Sequence, residues 1–114
     1  MNLDKLRTLC MSMPGATEGL KWEDHICFMV GEKMFCITSG RGGANLKLSD
    51  EDFELLIERD GIIPAPYMAR NKWVYIDRFS ALKPKEWEHY VGLSYDIIRS
   101  KLPKKIREAL SPRA

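Results

Sequence analysis

Two apolar segments that flank Gly31-Glu32 constrain the fold of this chain more than any other feature. Residues 25–30 (HICFMV) and 33–39 (KMFCITS) are rich in residue types favoured in β-strands. The loop between them holds two residues and begins with glycine. The pattern therefore predicts a β-hairpin closed by a type II′ turn.

A two-residue loop also fixes which side chains share a face of the hairpin. The predicted register pairs Cys27 with Cys36 and places His25 on the same face. Zinc accepts such a His/Cys/Cys set, but a structural zinc site needs a fourth ligand and no sequence spacing supplies one. A Cys27–Cys36 disulfide is geometrically conceivable in this register. We expect instead reduced thiols that pack as small core residues, with no metal and no other cofactor.

The remaining periodicities predict an α+β fold. Helices are predicted at about residues 3–13, 50–60 and 84–102, a loop at 62–71, a short basic helix from Lys104, and further strands at 18–23, 44–48 and 72–78. Ser49 is expected to cap the second helix. The order α-β-β-β-β-α-β-α lacks regular βαβ alternation, so a mostly antiparallel sheet with helices packed on one face is expected. The 114 residues fit a single domain over 1–114, with a basic tail at about 103–114.

Charge is distributed unevenly along a chain whose formal net charge is only +2. The charged residues of segment 50–60 are acidic except for Arg59, whereas those of segment 99–114 are basic except for Glu108. No apolar run approaches the ~20 residues of a membrane span, and the N-terminus lacks a secretory pattern. We therefore expect a cytoplasmic monomer that does not enter a membrane.

The chain carries no recognisable catalytic motif. It has two histidines, His25 and His89, and it lacks the nucleophile elbow, phosphate loop, paired-histidine metal motif and dinucleotide-binding glycine pattern. The sequence therefore assigns no catalytic residue, and we expect a protein that is not an enzyme.

Two segments are candidate binding surfaces. Pro64–Trp73 interleaves aromatic and cationic residues, which can stack bases and hold phosphates, although Tyr67 and Trp73 can equally anchor the loop in the core. The C-terminal tail clusters lysine and arginine, which can contact phosphates or keep a terminus soluble. The candidate nucleic-acid contacts are Arg70, Lys72, Trp73, Arg99, Lys101, Lys104, Lys105 and Arg107. The candidate residues of an interaction loop are Tyr67 and Met68.

Several short stretches, in order along nearly the whole chain, give it a family resemblance. They are Met13–Ala16, Phe28, Val30–Phe35, Leu46-Lys47, Pro64–Arg70, Trp73-Val74, Ser94–Asp96 and Lys101–Lys105. On these stretches the chain resembles the MmcQ/YjbR family. The resemblance implies a CyaY-like, frataxin-like α/β sandwich and a label of double-wing DNA-binding protein. It implies no catalytic residues, and frataxin-like iron binding is not expected because the first helix offers only Asp4 as an acid.

These observations lead to two functional hypotheses. The first is DNA binding through electrostatic phosphate contacts. The alternative is a protein–protein interaction or regulatory module without enzymatic activity, which would use the loop at Tyr67 and Met68. The partners expected are accordingly DNA or another protein.

Overall fold

The computed structural model describes residues 1–22, 24–39 and 43–113. Its strands are β1 (Thr17–Lys21), β2 (His25–Val30), β3 (Lys33–Thr38), β4 (Ala44–Lys47), β5 (Ile62–Pro64) and β6 (Trp73–Ile76). Its α-helices are α1 (Leu3–Met11), α2 (Asp50–Leu56), α3 (Pro84–Ser100) and α4 (Lys104–Ala109). All strand pairs are antiparallel in a sheet of order β1-β2-β3-β4-β6-β5. The α+β class and the antiparallel sheet are thus confirmed.

The main core lies between the helices and one face of the sheet. Trp87 and Tyr95 of α3 are fully buried there, and the Tyr95 ring meets Phe35 of β3 edge to face at 5.3 Å between centroids. Burying a side chain of this size contributes about 2–3 kcal/mol to the stability of the fold. The Tyr95 hydroxyl also donates to the carbonyl of Pro14 over 2.6 Å, which ties the end of the first helical segment to α3.

Local signals placed the second helix correctly at its start. The Ser49 side chain accepts the backbone N–H of Asp52 at 3.2 Å, as the capping pattern predicts. The helix ends at Leu56, earlier than predicted, and a turn leads from there to Gly61, whose φ is 85°.

The hairpin forms, but its predicted register is wrong beyond the first two pairs. The observed pairs are Val30 with Lys33, Met29 with Met34, Phe28 with Cys36, Cys27 with Ile37 and Ile26 with Thr38. A β-bulge adds one residue to β3, so both Phe35 and Cys36 enter the main core. Turn length alone does not reveal an extra residue within a strand, which is why the sequence-based register was shifted.

The bulge separates the two cysteines that were expected to face each other. Cys36 lies in the main core, whereas Cys27 packs with Ile37 in a separate cluster. The His/Cys/Cys set on one face therefore does not exist. Cys36 instead contacts Cys10 of α1, and the pKa of the Cys10 thiol is raised by burial first and then by its hydrogen bond with Cys36.

The turn of the hairpin also differs from the prediction. Gly31 and Glu32 both have positive φ, 54° and 67°, which is the type I′ rather than the type II′ conformation. A Cβ atom on Gly31 would lie 2.7 Å from the Leu102 side chain, so the end of α3 packs directly against this turn.

The segment predicted as a loop at 62–71 contains more structure than expected. Its first residues form β5 at an edge of the sheet. An edge strand tolerates Pro64, although proline has no N–H to donate to the sheet. Residues Ala69–Asn71 form one turn of 3₁₀-helix. Among the residues that the structure describes, no helix combines the length and the apolar character that a membrane span requires.

Candidate functional site

A folded loop of residues 65–72, here called the covering loop, packs on the second face of the sheet, opposite the main core. Ala65 is buried there with Cys27, Ile37 and Trp73. The backbone N–H of Ala65 donates to the carbonyl of Trp73 at 3.0 Å, and the N–H of Met68 donates to the carbonyl of Ala65 at 3.0 Å. The loop is therefore a compact turn rather than an extended connection.

Lys47 holds the C-terminal end of the covering loop, at Asn71. Its ammonium donates a hydrogen bond to the backbone carbonyl of Asn71. Burial lowers the pKa of Lys47, as do the nearby charges of Lys101 and Lys72, while Asp50 acts in the opposite direction. Lys47 thus joins β4 to the loop and stands beside two further lysines.

The aromatic residues of this loop segment have opposite environments. Trp73 is only 7% exposed and packs in the second-face cluster, so it is a core residue. Tyr67 is fully exposed and has a φ of 65°, a conformation that is unusual for an aromatic residue. Met68, the other candidate of the interaction loop, is half-buried against the second-face cluster. The interpretation that Tyr67 and Trp73 both anchor the loop therefore holds for Trp73 alone.

Lysines from three separate elements converge at one end of the sheet: Lys47 from β4, Lys72 from the end of the covering loop and Lys101 from the end of α3. We call them the lysine cluster. The Lys72 ammonium also lies 4.9 Å from the centre of the Phe53 ring. Within the described part of the chain, neither Lys72 nor Lys101 forms an ion pair with a carboxylate. Arg70 is exposed on the same loop.

Arg99 of α3 and Arg113 hold the C-terminal segment, which folds back along α3. Arg99 donates to the carbonyls of Ser111 at 2.7 Å and Leu110 at 3.2 Å, and it also contacts the Tyr95 hydroxyl at 3.2 Å. Arg113 pairs with Asp96. These arginines therefore hold the tail in place.

The α4 helix carries the remaining basic residues in exposed positions. Lys105 and Arg107 are exposed, and Lys104 lies 3.8 Å from Glu108. Of the predicted nucleic-acid contacts, Lys72 and Lys101 thus belong to the lysine cluster near Arg70, and Lys104, Lys105 and Arg107 lie on α4. Trp73 and Arg99 belong to neither group, because Trp73 is buried and Arg99 binds the C-terminal tail.

A pocket of about 600 Å³ opens on the second face beside the covering loop. The residues that line it include Tyr67 and Met68 of the covering loop, Tyr75 and Asn45 of the sheet, and Trp22, which follows β1. The Asn45 amide makes only a long hydrogen bond of 3.5 Å, to the carbonyl of Ile37. The size and the largely apolar lining are those of a small-molecule site.

His25 lines the same pocket and is incompletely paired. Its Nδ1 atom is shielded from solvent and has no hydrogen-bond partner of acceptable geometry among the described residues, although Asp24 Oδ1 lies 2.8 Å away. The His25 ring meets the edge of Trp22 at 5.7 Å between centroids. Trp22 is 63% exposed and has a φ of 51°, so the pocket is flanked by two exposed aromatic residues in left-handed backbone conformations, Trp22 and Tyr67.

Comparison with known proteins identifies the family of the chain. A family model described as YjbR matches residues 11–97 of the chain. The chain belongs to the YjbR family. The crystal structure of the Deinococcus radiodurans protein DR2400, which carries the DUF419 domain, is similar with a TM-score of 0.85; the alignment covers 95% of this chain and 86% of that chain at 21% identity. At that identity the likeness concerns the fold. No curated protein matches the chain.

Sequence reasoning missed several pocket and cluster residues of this YjbR-family chain. Lys47 and Asn45 alternate on β4 with buried Leu46, so strand periodicity did indicate that they share one face. Tyr75 alternates with Val74 in the same way. No local signal indicated that the covering loop turns that face into a pocket and brings Lys72 to Lys47, or that the packing of α3 brings Lys101 there.

Proposed function

We propose that this YjbR-family protein binds nucleic acid through phosphate contacts at the lysine cluster, without enzymatic activity. The observation that carries the proposal is that Lys72 and Lys101, from separate elements, form no ion pair with a carboxylate among the described residues and both act on the charge of the buried Lys47. Asp50 offsets part of the repulsion among these ammonium groups, and an anion such as a phosphate group would offset more of it.

The proposed contacts are sequence-independent. Phosphate oxygens carry no base information, and lysine binds them as a flexible point charge. Arg70 on the covering loop and the exposed cations Lys105 and Arg107 of α4 would extend the contact along the backbone. The acidic helix α2 borders this surface, because Asp50 acts on the charge of Lys47 and Lys72 lies over Phe53, and its carboxylates would weaken phosphate binding on that side.

The net charge of +2 limits the expected affinity. Each neutralised phosphate releases condensed counterions, so log K falls with log salt by about 0.9 per contact on duplex DNA. For three to five contacts we expect an affinity that falls about 20- to 150-fold between about 50 and 150 mM salt.

The test is fluorescence anisotropy with two unrelated duplexes of about 20 base pairs at about 50 and 150 mM salt, a range over which phosphate contacts are visible. The proposal expects both duplexes to bind with the same affinity and the same salt slope. Absence of binding at the lower salt, or an affinity that does not change with salt, would contradict it.

The exposed Tyr67 favours a second candidate, a protein-interaction module. A fully exposed aromatic residue at positive φ is unusual unless a partner covers it. A photo-crosslinking residue at position 67 should then yield one discrete adduct in cells, and the same residue at Lys85, an exposed position of α3, should not. Equal adduct patterns at both positions would contradict the interaction hypothesis.

A further inference from the structure

We infer that the pocket beside the covering loop binds a small, flat, uncharged heteroaromatic molecule. This ligand site lies beyond the nucleic-acid proposal, because none of the three lysines of the cluster lines the pocket. The inference rests on the shape of the pocket, the aromatic residues that flank it and the neutral polar groups in its wall.

The volume and the lining favour a small organic ligand. About 600 Å³ falls within the range of small-molecule sites and would hold about two or three fused rings. Ile37 and Ala44 of the sheet and Met68 of the covering loop belong to the lining. Methionine adapts its shape and makes favourable contacts with aromatic rings.

The aromatic residues indicate that the ligand is flat. Trp22 and Tyr67 flank the pocket from two separate segments, and both rings are largely exposed in the absence of a ligand. Both residues also hold left-handed backbone conformations, with φ of 51° and 65°. Such conformations cost about 1–3 kcal/mol each and cluster at ligand sites. A planar ring packed against these side chains would remove their apolar surface from water.

The polar groups indicate that the ligand is uncharged and has a hydrogen-bonding edge. No carboxylate, ammonium or guanidinium group belongs to the described lining. The Tyr75 hydroxyl has no hydrogen-bond partner among the described residues, and the Asn45 amide makes only its long 3.5 Å contact. His25 also lines the pocket, but its Nδ1 atom is shielded from solvent and lies beside Asp24, so a ligand in the pocket does not reach that atom. A ring nitrogen or carbonyl of the ligand could pair with the Tyr75 hydroxyl and the Asn45 amide, whereas a charged ligand would find no opposite charge among the described lining residues.

The test is a titration of the full-length protein with neutral probes, followed by two-dimensional ¹H–¹⁵N NMR. The probes are quinoline and adenosine, with cyclohexanol as a non-aromatic control and naphthalene-2-carboxylate as a charged control. We expect saturable shifts of the Trp22 indole and of the Asn45 and Tyr67 amides for the neutral aromatic probes, with dissociation constants below about 1 mM. Absence of saturable shifts, shifts confined to other regions, or equal binding of the control compounds would overturn the inference.

Variants at exposed positions test the contacts without endangering the core. Trp22→Ala and Tyr67→Ala should each weaken quinoline binding about two- to twelve-fold, the range expected for one aromatic contact. Leu20→Ala and Ile63→Ala remove exposed apolar side chains outside the pocket lining and should leave binding unchanged. Wild-type affinity in both pocket variants would overturn the inference.

A final set of titrations distinguishes a pocket that binds a free small molecule from one that binds a base of a nucleic acid. If the pocket holds a free heteroaromatic molecule, Lys72→Glu/Lys101→Glu should not change quinoline binding, and adenosine should bind at least as well as adenosine monophosphate. Tighter binding of the monophosphate that is lost in this double variant would assign the pocket to the nucleic-acid surface and overturn the inference of an independent site.

Discussion

The ammonium of Lys47 donates a hydrogen bond to the backbone carbonyl of Asn71, and this bond joins the central sheet to the loop that covers its second face. Lys47 is buried at the end of β4, whereas Asn71 belongs to a segment without extended strand pairing. Together with the backbone hydrogen bond from the N–H of Leu48 to the carbonyl of Lys72, this side chain holds the end of the covering loop that carries Lys72.

Lys47→Met should loosen the covering loop while leaving the sheet intact. The substitution keeps most of the apolar stem and removes the donor, so we expect a loss of about 1 kcal/mol in the free energy of unfolding. Hydrogen exchange should accelerate at the amides of Met68 and Trp73. Lys33→Met, at an exposed position of the hairpin, is the matched control. Unchanged exchange in the loop of Lys47→Met would show that other contacts hold it.

Charge reversal distinguishes the two groups of candidate nucleic-acid contacts. Lys72→Glu/Lys101→Glu should weaken binding to all duplexes equally and lower the salt slope by about one for each lost contact. Lys104→Glu/Lys105→Glu on α4 should have a smaller effect, because Lys104 already lies near Glu108. Anisotropy titrations of both variants make the comparison. A larger loss in the α4 variant would move the interface to the C-terminal segment.

Ser94 links three elements of the main core. Its hydroxyl donates to the carbonyl of Phe35 at 2.6 Å and accepts the backbone N–H of Lys47 at 3.0 Å. Ser94→Ala leaves two buried backbone groups without a partner, so we expect a loss of about 1–3 kcal/mol in chemical denaturation. Ser100→Ala, exposed at the end of the same helix, should change stability by less than about 0.5 kcal/mol. Equal losses in the two variants would contradict the bridging role.

The Arg59–Glu86 pair predicts a specific acid sensitivity. Hydrogen bonds from Arg59, and then from the backbone N–H of Lys83, lower the pKa of Glu86 from 4.5 to about 2. A carboxyl group whose pKa is lower in the folded protein than in the unfolded chain stabilises the fold at pH values above the pKa of the unfolded chain. This contribution disappears as the pH falls from about 4.5 through about 2. Because both side chains are partly exposed, we expect a contribution of about 1 kcal/mol.

Urea unfolding of wild type and Glu86→Gln at pH 6 and pH 3 measures this contribution. The difference in stability between the two proteins should be present at pH 6 and smaller at pH 3. Asp60→Asn is the control, because Asp60 pairs with Arg78 from a nearly fully exposed position. A difference between wild type and Glu86→Gln that stays constant with pH would contradict the assignment.

The sequence by itself determined the elements with strong local signals. The hairpin around Gly31-Glu32, the cap at Ser49 and the long helix from Pro84 follow from turn chemistry, capping and periodicity, all of which act within a few residues. The order of these elements was enough to predict an antiparallel α+β fold, because chains without βαβ alternation rarely build parallel sheets. The spacing of short motifs was enough to indicate the family.

Only the tertiary structure decided the register of the hairpin and the composition of the candidate sites. The bulge at Phe35 places Phe35 against Tyr95 of α3 and Cys36 against Cys10 of α1, and packing of that kind is not encoded by the turn. The lysine cluster and the pocket likewise depend on contacts between residues far apart in sequence, such as Lys47 with Asn71. Local patterns specify which face a side chain takes, but the packing of distant segments determines which side chains share a site.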